Sequence, residues 1–71
     1  MGLRNSERII YPNIRAWCLE NGYSYLRIAK ETGMSEPGIR LFLTGKRGGT
    51  KYTIDAILDL TGLTYQEAFR N

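Results

Sequence analysis

Arg40, Lys46, Arg47 and Lys51 fall between Gly38 and Thr53, a stretch that contains no acid. Cationic side chains at that density neutralise phosphates, which is how proteins hold a nucleic-acid backbone. Arg40 adds a second capability, because its planar fork matches O6 and N7 of guanine. Glu36 lies four residues before it. That carboxylate has two uses, accepting from a cytosine amino group or pairing with Arg40 one helical turn on. The glycine-rich run from Thr44 to Lys51 lacks the Walker spacing, so a nucleotide site is not expected there. Its backbone amides and lysines suit a DNA phosphate, and a plain connector is the simpler alternative.

Catalytic and metal chemistry find little to work with. The chain has no histidine and a single cysteine, Cys18. The usual general base, Cys/His zinc sets and an intramolecular disulfide framework are therefore excluded. Cys18 follows Trp17 in an apolar segment and reads as core. The expectation is a protein that is not an enzyme, with no cofactor, no metal and no small-molecule ligand.

These residues need a scaffold, and 71 residues allow one domain with a small core. The formal charge of +3 and pI near 9.3 are a mild basic bias, compatible with nucleic acid without requiring it. No apolar run approaches the roughly 20 residues that span a bilayer. Glu7 and Arg8 interrupt any secretory apolar region, so no membrane partner and a cytoplasmic location are expected.

The spacing predicts an all-α domain. Residues 1–10 read as an N-terminal arm whose last residues pack on the rest, with the domain over 11–71. Helix one starts near Pro12, buries Ile14, Trp17 and Cys18, and stops at Asn21-Gly22. Ser24 caps helix two, which buries Tyr25, Ile28, Ala29 and Thr32 and turns at Gly33. Ser35 caps helix three, with Pro37 in its first turn and Ile39, Phe42 and Leu43 inward. A loop runs from Lys46 to Tyr52. Thr53 caps helix four, with Ile54, Ile57 and Leu58 inward and Gly62 as its stop. Thr64 and Glu67 have capping-box spacing for a short fifth helix holding Ala68 and Phe69. The predicted core joins Trp17, Ile28, Ala29, Ile39, Phe42, Ile57 and Phe69.

Helices two and three, joined at Gly33, have the pattern of a helix-turn-helix. Ala29 gives a small residue for the crossing and Gly33 tolerates positive φ. Glu36, Pro37, Arg40, Leu41 and Thr44 are left facing outward. Ala29, Gly33, Ser35, Ile39 and Gly45-Lys46-Arg47 resemble the Cro/C1-type (xenobiotic-response-element) helix-turn-helix family, which includes small phage repressors. The run from Leu60 to Phe69 resembles the family's passage from helix four to helix five.

The resemblance covers residues 12–70. It implies a four- or five-helix, λ-repressor-like domain that binds double-stranded DNA as a transcriptional regulator of the phage or mobile-element type. The recognition helix, Ser35 to Thr44, would enter the major groove. The DNA-binding set is then Ser24, Tyr25, Ser35, Glu36, Pro37, Arg40, Leu41, Thr44, Lys46, Arg47 and Lys51. The chain departs from the family at Tyr25, where glutamine is usual. It departs again at Glu36-Pro37-Gly38, where polar readers are usual, and at Leu43, where glutamate is frequent. A tyrosine hydroxyl can donate to a phosphate, or its ring can be partly buried. A domain of this kind gains specificity as a homodimer. The sequence shows no clear face for one, with Leu26, Leu41, Tyr65 and Phe69 as candidates. The competing reading is a protein-interaction module, an antirepressor or assembly adaptor, presenting Tyr25, Glu36, Pro37 and Leu41.

Overall fold

Each of four helices begins where a hydroxyl can satisfy an orphan backbone donor. Ser24, Ser35, Thr50 and Thr64 accept from the N–H of Arg27, Gly38, Thr53 and Glu67 respectively. A computed structural model describes residues 8–70 and contains helices α1 (Pro12–Asn21), α2 (Tyr25–Thr32), α3 (Glu36–Leu43), α4 (Lys51–Thr61) and α5 (Tyr65–Ala68). No strand occurs among the described residues. Pro12 opens α1, where its missing N–H costs nothing. At α5 the full capping box forms, with the Glu67 carboxylate accepting from the Thr64 N–H at 3.0 Å.

The turn between α2 and α3 is built by backbone hydrogen bonds. Gly33 takes φ 71°, and the Met34 N–H donates to the Ala29 carbonyl at 2.9 Å. This is a Schellman closure, and it needs the left-handed conformation that a β-carbon disfavours. The same closure ends α3, with Gly45 at φ 81° and the Lys46 N–H donating to the Leu41 carbonyl at 2.9 Å. The chain leaves α3 in one direction, and Lys46 is fixed where it leaves.

Two expectations are corrected here. Thr50, not Thr53, caps α4, so this helix starts at Lys51, inside the segment expected as loop. Thr53 sits in the first turn, buried, with its hydroxyl 3.3 Å from that of Thr50. Two threonines three residues apart both precede apolar residues, and the earlier one adds a helical turn. Trp17 and Phe69, expected in the core, are half-buried at its edge. Trp17 meets Tyr23 at a tilt of 55° with ring centroids 4.6 Å apart, and Phe69 meets Tyr11, Phe42 and Tyr65.

Ile14, Ile28, Ala29, Ile39, Phe42, Leu43 and Ile57 form the centre of the core. α2 packs mainly on α3 and also on α4, while α5 packs on α1 and α4. The Cα radius of gyration is 10.7 Å, and a globule of this length is expected near 11 Å. Ile9 is buried, and the Ile10 N–H donates to the Leu43 carbonyl at 3.0 Å. The end of the expected arm is therefore part of the fold. Its first seven residues lie outside the described residues.

Gly49 lies on the Phe42 ring, and a β-carbon there would come within 2.5 Å of Phe42 Cε1. The ring is buried and cannot withdraw. Gly49→Ala is expected to cost about 1–3 kcal/mol in urea unfolding, the range for overpacking. Gly48 has nothing within 4 Å of such a β-carbon and no positive φ. Gly48→Ala should stay within about 0.5 kcal/mol of the parent chain.

Candidate nucleic-acid interface

Burying Ile39, Phe42 and Leu43 settles the orientation of α3. Pro37 is exposed, while Glu36, Gly38, Arg40, Leu41 and Thr44 are half-buried around the rest of the helix. Ser24 and Ser35 are engaged as caps, at 3.2 Å and 3.1 Å from the N–H groups they accept. Gly38 has a local reason to be glycine. A β-carbon there would fall 2.9 Å from Ser35 Oγ and crowd the cap.

Arg40 does not reach outward as an extended arm. Its Nη2 donates to Glu36 Oε2 across one helical turn. Its guanidinium lies over the Tyr25 ring, 5.5 Å from the centroid. Tyr25 is buried, so its ring forms a wall against which the arginine rests. Of its two sequence-level uses, the buried ring is the one its placement suits. The Thr44 hydroxyl donates to the Arg40 carbonyl at 2.7 Å and tightens the last turn.

The basic segment divides in two. Lys46 and Arg47 are exposed, and both of their backbone N–H groups donate to the Leu41 carbonyl, at 2.9 Å and 3.1 Å. Among the described residues neither side chain has an ion-pair partner. Lys51 sits in the first turn of α4 and pairs with Asp55 at 3.0 Å, fully in solvent's reach. The first two cations therefore leave a fixed backbone with their charge uncommitted, and the third shares its charge with an acid.

Three further cations lie outside the predicted DNA-binding set. Arg27, in the first turn of α2, is exposed and lies 4.3 Å from the centroid of the Tyr23 ring. Its only local signal was its place three residues after the Ser24 cap. Arg8 and Arg15 line a shallow pocket with Ile9, Ile10 and Pro12. Ile10 also touches Gly45, so this pocket adjoins the start of the basic loop. No sequence pattern signals that approach. Acids gather elsewhere, with Glu31, Asp55 and Asp59 lining a groove between α2 and α4.

No family model, curated protein or solved structure matches the chain. What the surface can do is therefore read from its own geometry. No group of three metal-ligating side chains occurs among the described residues, and no helix there is long and apolar enough to cross a membrane. Of the residues considered for a dimer face, Leu26 and Tyr65 are exposed, whereas Leu41 and Phe69 are half-buried.

Cys18 is buried in α1, and burial pushes its thiol up to about 11. The folded state thus disfavours the thiolate. The raised value stabilises the fold fully below the ordinary value of 9.0, and that contribution is lost as pH rises toward 11. At neutral pH the native thiol is expected to resist a disulfide reagent and to react at once in denaturant. Fast labelling of the folded chain would place Cys18 outside the core.

Proposed function

We propose that the chain binds double-stranded DNA sequence-specifically, with α2 and α3 acting as a helix-turn-helix of the Cro/C1 type in a λ-repressor-like domain. α3 enters the major groove, and the loop after it grips the backbone. One observation carries this reading. The helix whose far side is open is followed directly by Lys46 and Arg47, which are exposed, have no ion-pair partner among the described residues, and are anchored through their backbones to Leu41. Phosphate contacts need such side chains at a fixed distance from the reading helix. Arg27, near the start of α2, is a further phosphate contact, and Lys51 is a weaker one.

Such a protein regulates by occupying its site in the cytoplasm, as a homodimer where the site is a palindrome. Selection of duplexes from a random pool tests the reading. A consensus of a few base pairs is expected, and a pool that stays random would refute specific binding.

A second reading has one observation in its favour. The Glu36–Arg40 pair engages the arginine fork within the domain, beside the exposed Pro37 and the partly exposed Leu41. That surface also suits a protein partner. In that case the chain would be an adaptor or antirepressor, and its binding would not track phosphate charge.

A further inference from the structure

We propose that Glu36 is a specificity-determining residue, whose carboxylate penalises binding to arbitrary DNA and gives up Arg40 only to a matching base pair. The inference rests on the DNA-binding reading above. Among the described residues, the Glu36 carboxylate and the face of the buried Tyr25 ring both hold Arg40. The side chains are 37% exposed for Arg40 and 24% for Glu36, so water and salt screen the pair less than a fully solvated one. Ser35 already caps α3, which leaves the Glu36 carboxylate unneeded for that task.

An arginine held this way gains little from a phosphate. It would exchange one oxyanion for another and leave Glu36 facing a polyanion. A G·C pair changes the balance. Guanine O6 and N7 fit the arginine fork, and the cytosine amino group donates to the freed carboxylate. A wrong pair leaves one of the two charged groups desolvated without a partner. Lys46 and Arg47 would then supply affinity for any sequence, and Glu36 would set how little of that affinity serves wrong sequences.

The test compares dissociation constants for two duplexes at one fixed salt concentration. One is the duplex selected from a random pool, and the other is its scramble of equal base composition. In Glu36→Gln, binding to the scramble is expected to tighten about three- to tenfold, and its log K against log salt slope to steepen by about one. The selected duplex should not tighten, so the ratio of the two falls. Glu31→Gln makes the same change in net charge in the α2–α4 groove, and it should leave the ratio unchanged. Arg40→Lys keeps the charge without the fork, and it should weaken the selected duplex alone. Equal tightening on both duplexes in Glu36→Gln, an equal fall of the ratio in Glu31→Gln, or uniform weakening in Arg40→Lys would overturn the proposal. A parent chain that binds neither duplex overturns the DNA-binding reading instead.

Discussion

Ile39→Ala is expected to remove about 2–5 kcal/mol of stability, the cost of deleting a fully buried isoleucine side chain down to its β-carbon. Ile39 has no exposed surface and stands on the inward face of α3. α2 and α3 form the most extensive helix pair in the molecule, so a cavity there loosens α3. A chain of this length holds only about 4–10 kcal/mol in total, so the variant should be partly unfolded near 37 °C. Helical circular dichroism followed through urea is the measurement. A loss below about 1 kcal/mol would mean that α3 is not docked through this residue.

Lys46→Ala with Arg47→Ala is expected to weaken binding to every duplex alike, by roughly ten- to a hundredfold at physiological salt, with the salt slope shallower by about two units. Both side chains are exposed and unpaired among the described residues, so the double variant should melt as the parent does. Lys51→Ala alone should have a smaller effect, because Asp55 already offsets its charge. Unchanged affinity in the double variant would favour the protein-interaction reading.

Features that depend on a few neighbouring residues were legible in the sequence. Ser24, Ser35 and Thr64 cap helices because a hydroxyl reaches an N–H three residues on, whatever lies around it. The Glu36–Arg40 pair follows from helical spacing alone. Thr50 and Thr53 are equally good caps locally, and the choice of Thr50 goes with tertiary contacts, including Tyr52 reaching the Thr32 carbonyl. Contacts that need two distant segments to meet left no trace in spacing. Tyr25 under Arg40, Gly49 on Phe42, and Ile10 against Gly45 are all of this kind. They decide how the site is arranged, for they hold the arginine, the basic loop and the Arg8 segment where they are. Of the residues singled out from the sequence, the fold makes Ser24 and Ser35 caps, clamps Arg40 to Glu36, buries Tyr25 and leaves Lys46 and Arg47 exposed.

The measurement that bears most directly on the central claim is the affinity for an arbitrary duplex as a function of salt. Each phosphate neutralised contributes about 0.9 to the slope of log K against log salt. Lys46 and Arg47, with smaller terms from Arg27 and Lys51, predict a linear fall with a slope between roughly −2 and −4 for one chain per duplex. A chain that binds no duplex at low salt, or binds with a slope near zero, would contradict the account.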